Sequence, residues 1–253
     1  MMVAHDSNGN RIEATPKATA ICPVCQGECF SKCGEIKTWH WAHKSLKECD
    51  TWYEPEGEWH YGWKKLAGLE NTEIVIKKDG GIHRADIRTD RGLVVELQHS
   101  PLAPKDVRDR EAFYGNMIWV IDGTEVLKDF RIERWISKEG SYYFKHHGKT
   151  NAWINEIKAP RYYHFSQIAF HTYYWQNHYL PEYSGVGASK EVPVSRPPVL
   201  KWKRTNREGR AIILEDILVE PNEEYCKLIS KSDFVRQHFG AAIKRKQDSL
   251  FDF

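Results

Sequence analysis

Cysteine is concentrated in one part of this chain: five of the six cysteines lie between Cys22 and Cys49, with histidines among them. The segment is polar and aromatic with little periodicity, so we expect it to lack an apolar core of its own and to need a cross-link. Cysteines interleaved with histidines favour metal binding over a disulfide framework, and they indicate a reducing compartment. The segment therefore predicts a small module that folds around zinc.

The module offers more ligands than one tetrahedral zinc ion takes. Cys22 and Cys25 present two thiolates from one turn, which is a common half of such a site. His40, His43 and Cys49 compete for the other two positions. We expect the set Cys22, Cys25, His43 and Cys49, with His40 as an alternate; a reduced loop without metal is the alternative. Four protein ligands leave no position for a substrate, so we expect the zinc to be structural.

The net charge says little about the function of the protein, whereas its hydropathy indicates where in the cell we expect it. The 253 residues carry a formal net charge of +2. This value does not exclude a nucleic-acid partner, because basic groups need to line only one groove. No apolar run is long enough to cross a bilayer, and residues 1–10 lack the pattern of a secretory signal. We therefore expect a cytoplasmic protein with no membrane partner.

Hydrophobic periodicity predicts an α/β unit after the cysteine-rich segment. Residues 3–13 are expected to form two short strands around a turn at 7–9. After residue 50 the pattern predicts a helix, three strands, a helix and a strand. These elements are expected at residues 56–69, 72–77, 82–88, 93–98, 104–114 and 117–121. We divide the chain into the module (1–50), this core (51–124) and an α+β extension (125–253).

The extension is less regular than the core. Residues 130–147 contain alternating aromatics and predict a hairpin, whereas residues 162–179, which are aromatic and basic, predict a helix. We expect these aromatics to belong to the core; stacking on single-stranded DNA is the alternative. Residues 185–198 predict a loop. Residues 211–219 and 222–243 predict a strand and one or two closing helices.

Two acidic residues lie on neighbouring predicted strands. Side chains alternate along a strand, so Glu96 and Gln98 share one face while Val95 and Leu97 point the other way. Asp86 comes from the adjacent strand of a tight hairpin and can lie beside Glu96. Two converging carboxylates, with the Leu97 carbonyl as a further oxygen, suit Mg²⁺ or Mn²⁺. Such an ion can activate water and neutralise the charge that develops on a phosphodiester.

Two further polar residues are expected at this site. Gln98 cannot act as a base, so we expect it to orient water or a phosphate oxygen by hydrogen bonding. Glu56, at the start of the first predicted helix, is expected to contact the metal or its waters. The alternative is that Asp86 and Glu96 are ordinary strand-end charges. Glu96 argues against this alternative because it interrupts an apolar run, where an unpaired carboxylate is costly.

Basic residues on the two predicted helices lie near the same strands. Arg108 and Arg110 from the second helix, and Lys64 from the first, are expected to contact DNA phosphates. A solvated helix face is the alternative for Arg108.

Several short motifs follow one another in a fixed order over the first half of the chain. They are Cys22-Pro23-x-Cys25; His40-Trp41-Ala42-His43-Lys44-Ser45-Leu46 with Cys49 and Asp50; Glu56-x-x-x-His60-x-x-x-Lys64; Ala85-Asp86; Val95-Glu96-Leu97-Gln98-x-Ser100-Pro101-Leu102; Arg110-x-x-x-Tyr114; and Ile118-Trp119-Val120. In this combination the chain resembles the competence protein CoiA and its CoiA-like nuclease relatives, from about residue 3 to residue 121.

The resemblance implies a restriction-endonuclease-like core of the PD-(D/E)XK type, in a bacterial protein that handles DNA during uptake and recombination. By position, Asp86, Glu96 and Gln98 match the family's active-site trio, with Glu56 and His60 flanking it from the first helix. The shared domain is equally compatible with a role in antiphage defence or in a mobile element. The alternative from another functional class is a catalytically silent DNA-binding or adaptor protein.

The last residues resemble a docking motif. Gln247, Leu250 and Phe251 match the Gln-x-Ser-Leu-Phe pattern by which bacterial DNA enzymes bind the replication sliding clamp. In that motif the glutamine bonds at a pocket rim and the Leu-Phe pair fills an apolar groove. A tail that frays, or that packs on its own domain, is the alternative.

Overall fold

The computed structural model describes residues 1–45, 49–52, 56–126, 130–136, 141–146, 152–171, 203–204, 211–222 and 225–240. The first range forms a five-stranded antiparallel sheet in the order β2-β1-β3-β4-β5. Its strands are β1 (Val3–His5), β2 (Arg11–Glu13), β3 (Thr19–Ile21), β4 (Glu28–Lys32) and β5 (His40–His43).

A tight turn joins β1 and β2 where the sequence predicts one. Asp6 Oδ1 accepts hydrogen bonds from the backbone N–H groups of Asn8 and Asn10, both at 2.8 Å. Gly9 adopts a φ of 83°, in the left-handed region that glycine tolerates best. An aspartate that bonds to the following backbone and a left-handed glycine are typical of such a connection. The two predicted strands are confirmed.

The cysteine-rich segment contains regular strands, which its periodicity did not predict. β4 and β5 are five and four residues long, too short for an alternating pattern to stand out. They enclose a small core that they share with the preceding strands, so the segment does not lack an apolar core altogether. Its buried members are Met1, Ala4, Ala14, Ala20, Cys22, Cys29 and Trp41.

The predicted order of helix, three strands, helix and strand is confirmed in the next part of the chain. The elements are α1 (Glu58–Ala67), β6 (Thr72–Lys78), β7 (Gly81–Arg88), β8 (Val94–Gln98), α2 (Pro104–Tyr114) and β9 (Met117–Asp122). Strands β6, β7 and β8 are antiparallel neighbours, whereas β8 and β9 are parallel. Pro104 begins α2 at a position where its missing N–H costs no hydrogen bond.

This sheet is covered on both faces. Every residue of β8 and β9 is buried, as expected for parallel strands between two helical layers. One face packs against α2 through a cluster that includes Val107, Phe113 and Trp119. The opposite face packs against α1 through a cluster that includes Trp63 and Val95.

The extension continues the same sheet and then closes on itself. Its elements are α3 (Gly123–Val126), β10 (Phe130–Ile136), β11 (Ser141–His146), α4 (Ala152–Glu156), β12 (Arg161–His171), β13 (Lys203–Arg204), β14 (Ala211–Asn222), β15 (Tyr225–Ser230) and α5 (Lys231–Phe239). The start of β12 pairs in parallel with β9. The pairings β12–β14, β14–β15, β15–β11, β11–β10 and β10–β12 return to their starting strand.

Two predictions for the extension are confirmed and two need correction. The hairpin is formed by β10 and β11, and the strand predicted at 211–219 lies within β14. The helix predicted from residue 162 is instead β12 as far as His171, and the first part of the segment 222–243 is the strand β15. Residues 162–165 are all buried, and a strand buried on both faces lacks the alternation that would distinguish it from a helix.

The remaining predictions for this half of the chain lie outside the described residues. These are the rest of the predicted aromatic helix (172–179), the loop at 185–198, and the tail with Gln247, Leu250 and Phe251. Within the described part of the chain, no helix has the length and apolar character that crossing a membrane requires.

Helix α5 joins the extension to the core through Phe234. Its ring is fully buried, 5.6 Å from the Trp63 ring and 5.0 Å from the Tyr162 ring. We expect Phe234→Ala to lower the free energy of unfolding by about 3–5 kcal/mol, because a large cavity would be left between α5 and α1. Urea denaturation followed by tryptophan fluorescence measures this loss. Tyr225→Ala, at a side chain that is 37% exposed, should cost much less; equal stability of both variants would contradict this packing.

Candidate functional site

Asp86 on β7 and Glu96 on β8 meet side by side, as the sequence predicts. Asp86 precedes Ile87 and Glu96 follows Val95, and Ile87 and Val95 are partners in the antiparallel register, so Asp86 and Glu96 lie opposite each other and share one face of the sheet. Glu96 Oε1 accepts a hydrogen bond from the Asp86 backbone N–H at 3.2 Å. Asp86 Oδ2 accepts one from the Leu97 N–H at 3.0 Å. Each carboxylate is therefore held by the backbone of the other strand.

Lys64 on α1 lies against Asp86. Its Nζ is 2.9 Å from Asp86 Oδ1, 2.8 Å from Glu56 Oε1 and 3.1 Å from Glu73 Oε1. Burial alone would lower the pKa of the Lys64 ammonium, but the charges of Asp86, Glu56 and Glu73 raise it well above its ordinary value. The side chain is fully buried, so it does not match the expectation of a contact with DNA phosphates. Its observed partners are carboxylates.

Arg110 on α2 pairs with Glu96 rather than facing solvent. Its Nη1 is 3.2 Å from Glu96 Oε2, and its Nη2 donates to the backbone carbonyl of Trp52 at 3.0 Å. Burial and the charge of Asp86 raise the pKa of Glu96 to about 8, although Arg110 opposes this shift. Arg110 is buried, which again differs from the expected phosphate contact. Arg108 is half-exposed and pairs with Glu156 at 2.9 Å, as on an ordinary solvated helix face.

The two carboxylates open into a pocket between α1, α2 and the segment that follows the cysteine-rich module. It is lined by Asp50, Trp52, Glu56, His60, Arg84, Asp86, Glu96, Leu97 and Arg110. The structure thus brings Glu56 and His60 to the two strand carboxylates, as expected. Glu56 Oε2 is buried and has no hydrogen-bond partner among the described residues. An unsatisfied buried carboxylate oxygen at a pocket wall is a position that a cation would satisfy.

His60 lines the pocket, whereas Gln98 does not. His60 Nε2 lies 3.2 Å from the Leu97 carbonyl oxygen, so its ring contacts the β8 backbone between Glu96 and Gln98. Gln98 is fully buried, and its amide donates to the Ser100 carbonyl at 2.6 Å. It is not among the pocket residues. The expectation that Gln98 orients an attacking water is therefore not matched by its position.

Asp50 and Trp52 are pocket residues that sequence reasoning did not identify. Asp50 Oδ1 lies 2.9 Å from His83 Nδ1, and Asp50 Oδ2 accepts from the Arg84 backbone N–H at 2.8 Å. The Trp52 ring stacks on His83 with 3.4 Å between centroids and 9° between planes. Asp50 stood beside Cys49 in the second of the sequence motifs, which was the available signal. No sequence pattern indicated Trp52 or Arg84 as a site residue.

The pocket is rich in carboxylate oxygens. Its lining includes the acidic residues Asp50, Glu56, Asp86 and Glu96 and the basic residues Arg84 and Arg110, and Lys64 contacts Asp86 and Glu56. Hard oxygen ligands of this kind suit Mg²⁺ or Mn²⁺.

A second cluster lies in the N-terminal module. The ligand atoms of Cys22, Cys25, His43 and Cys49 all lie within 4.8 Å of one another. Cys49 Sγ is 3.9 Å from Cys22 Sγ and 3.3 Å from His43 Nε2. Tetrahedral zinc places its sulfur and nitrogen ligands about 3.3–3.8 Å from each other, given the usual bond lengths. The preferred set of four is confirmed as a cluster that can hold a zinc ion.

The pKa values of two thiols of the cluster shift in opposite directions: burial and the charge of Cys22 raise the pKa of Cys49 to about 12. A hydrogen bond from Cys29, against the opposing effect of burial, and bonds from the Cys25 and Val24 backbone lower the pKa of Cys22 to about 3. A thiolate is the form that binds zinc. The alternate ligand His40 is not in the cluster: it lies three residues before His43 on β5, so the two side chains point to opposite faces. His40 Nδ1 instead lies 2.9 Å from the Thr38 carbonyl.

Comparison with known protein families gives a match in the first part of the chain. Residues 4–51 match the family model for the N-terminal domain of competence protein CoiA. No curated protein and no solved structure matches the chain. The family match covers the cysteine-rich module and ends at the residue after Asp50. This part of the chain is therefore similar to the N-terminal domain of that competence protein.

The four-residue cluster predicts one zinc per chain. We expect freshly purified, reduced protein to contain about one equivalent of zinc by elemental analysis, and Cys49→Ser to remove most of it because one of four ligands is lost. Cys33→Ser is the matched control, since Cys33 is free and outside the cluster. Zinc-free wild-type protein, or equal zinc in both variants, would contradict the assignment.

The raised pKa of Glu96 predicts a pH-dependent stability. The folded protein keeps this proton up to a pH of about 8, whereas the unfolded chain releases it near 4.5. Raising the pH between these values therefore favours the unfolded state. In buffer without added Mg²⁺ or Mn²⁺, we expect Glu96→Gln to lose less stability than wild type between pH 5 and pH 8. Parallel urea denaturation series measure it; identical pH profiles would show that Glu96 is not held neutral.

Proposed function

We propose that this chain is a metal-dependent nuclease that hydrolyses phosphodiester bonds of DNA at Asp86 and Glu96. The observation that carries the proposal is the convergence of these two carboxylates from adjacent strands, beside Glu56, in a pocket that Asp50 also lines. A binding protein for DNA gains nothing from gathering acids where phosphates approach. A site for a divalent cation needs them.

The fold around the carboxylates supports the same proposal. A helix, three antiparallel strands, a helix and a parallel strand carry them, which is the order that we expect of a PD-(D/E)XK core. The family match to a competence protein favours DNA uptake and recombination as the biological setting, with antiphage defence as a further possibility that the same chemistry would serve. Docking on a sliding clamp through the tail stays a prediction.

The residues present fit a Mg²⁺ or Mn²⁺ ion. Asp86 and Glu96 would hold it, with the Leu97 carbonyl as a further oxygen. When bound, such an ion supplies an activated water and neutralises charge on the phosphate. Lys64 fixes Asp86 Oδ1, and Arg110 fixes Glu96 Oε2, so both carboxylates are oriented before substrate arrives. Glu56 Oε2, unsatisfied within the described residues, would accept a hydrogen bond from the attacking water.

One observation favours the alternative, a catalytically silent DNA-binding or adaptor protein. Gln98 stands at the position that the family resemblance assigns to the third active-site residue, yet its amide is bonded to Ser100 and lies outside the pocket. A protein that had lost cleavage would have no need of this residue in the pocket. Binding of DNA without cleavage in any divalent cation would favour this alternative.

Asp86→Asn tests the proposal because it keeps the size of the side chain and removes its charge. We expect cleavage of DNA in Mg²⁺ or Mn²⁺ to fall more than about a hundredfold, since even partners of metal ligands commonly cost 10–100-fold. The rate is measured on single- and double-stranded substrates, with and without the cation. Asp90→Asn, at an exposed turn, is the matched control and should cleave normally.

The zinc content of both variants separates a local effect from a general one. Equal zinc in Asp86→Asn, Asp90→Asn and wild type would show that the module is intact. Cleavage by Asp86→Asn at the wild-type rate would then place any nuclease activity elsewhere than at this pocket.

A further inference from the structure

We propose that the N-terminal zinc module positions the two strand carboxylates, so that zinc occupancy sets the affinity of the pocket for its divalent cation. Two separate chains of contacts lead from the module to the pocket. One ends on Asp86 and the other on Glu96. The inference rests on the proposed function for its cation, and it assigns Glu73 and Asp50 as positioning residues.

The first chain of contacts runs through Glu73. Its Oε1 accepts a hydrogen bond from the Met2 backbone N–H at 2.9 Å, and its Oε2 accepts one from the Val3 N–H at 3.0 Å. The same Oε1 lies 3.1 Å from Lys64 Nζ, which in turn lies 2.9 Å from Asp86 Oδ1. One carboxylate thus connects the backbone of β1 to the ammonium that fixes Asp86.

Glu73 is held in an unusual conformation. It is fully buried at the start of β6. Its backbone φ of 54° lies in the left-handed region that residues other than glycine rarely adopt. Arg11 on β2 bonds to the carbonyls of Leu69 and Thr72 just before it. Such a backbone persists only where the surroundings fix it. The surroundings here are supplied by the module.

The strand that holds Glu73 depends on the zinc cluster. β1 pairs with β3 at His5 and Ile21, and the next residue, Cys22, is one of the four cluster residues. Met1 packs in the same small core as Cys22 and Trp41. This core consists mostly of small side chains, so a bound metal would contribute much of its folding free energy. Loss of zinc would loosen the N–H groups that hold Glu73.

The second chain of contacts begins at the last cluster residue, Cys49. The next residue, Asp50, binds His83 Nδ1 at 2.9 Å and the Arg84 N–H at 2.8 Å, on the strand that carries Asp86. Trp52 stacks on His83, and its carbonyl accepts from Arg110 at 3.0 Å. Arg110 lies 3.2 Å from Glu96 Oε2. Both carboxylates are therefore tied to the module.

Glu73→Gln tests the first chain of contacts. The variant keeps the shape of the side chain but removes one negative charge, so Lys64 is shared by Asp86 and Glu56 alone and competes more strongly with a cation for Asp86. We expect Mn²⁺, used as the probe, to bind about tenfold more weakly, within the 10–100-fold range for partners of metal ligands. Electron paramagnetic resonance of free Mn²⁺ gives the dissociation constant. Glu70→Gln, at an exposed residue of the preceding turn, should bind as wild type does.

Cys25→Ser tests the zinc dependence without touching the pocket. We expect it to lose zinc and to weaken Mn²⁺ binding by a similar factor, whereas Cys33→Ser keeps both. Phe234→Ala provides the comparison for a merely structural effect, because it lowers stability at a residue that does not line the pocket and should leave Mn²⁺ affinity unchanged. The Mn²⁺ affinity of each variant is measured only under conditions in which its tryptophan fluorescence shows that the chain is folded. Arg11→Gln, which removes the module's bonds to the Leu69 and Thr72 carbonyls and lies outside the pocket, replaces any variant that fails this criterion, and it should weaken Mn²⁺ binding as well.

The outcomes separate this inference from the proposed function. Wild-type affinity for Mn²⁺ in Glu73→Gln and in zinc-free Cys25→Ser would overturn the coupling and leave the nuclease proposal in place. Weakening by Phe234→Ala equal to that by Glu73→Gln would also overturn it, since stability alone would then explain the loss. Absence of Mn²⁺ binding to wild-type protein would overturn both proposals together.

Discussion

The buried ammonium of Lys64 is the interaction on which the site depends. A charge without water is tolerated only when opposite charges surround it, and here Asp86, Glu56 and Glu73 do so at hydrogen-bond distance. These three carboxylates come from a strand, a loop and the start of another strand, so one cation fixes their relative positions. The cost of leaving any of them unpaired makes the arrangement hard to change one residue at a time.

Much of the core was predictable from the sequence because its signals are local. Alternation and turn residues define β6, β7 and β8 to within a residue or two, and Pro104 defines the start of α2. Opposite positions on a hairpin share a face, which placed Asp86 beside Glu96. The spacing of Cys22 and Cys25 likewise indicated half of the metal cluster. Local spacing was sufficient for each of these.

What the sequence did not predict depends on contacts between distant segments. Lys64 and Arg110 were expected at a DNA surface because charged helix residues are usually exposed, yet acids from other elements hold both inside. The role of Glu73 had no local signal, since the backbone N–H groups that hold its carboxylate lie about seventy residues away in the chain. The error at β12 has a related cause: burial on both faces removes the alternation by which a strand is identified.

Strand β12 has a consequence for how this protein can be divided. Its first four residues lie beside β9, and its remainder belongs to the closed set of strands that follows. Cutting the chain after the core would therefore uncover a row of backbone N–H and C=O groups along β9, a strand whose every residue is buried. An apolar edge of that kind pairs readily with other chains. The extension therefore covers this edge of the core and protects it against aggregation.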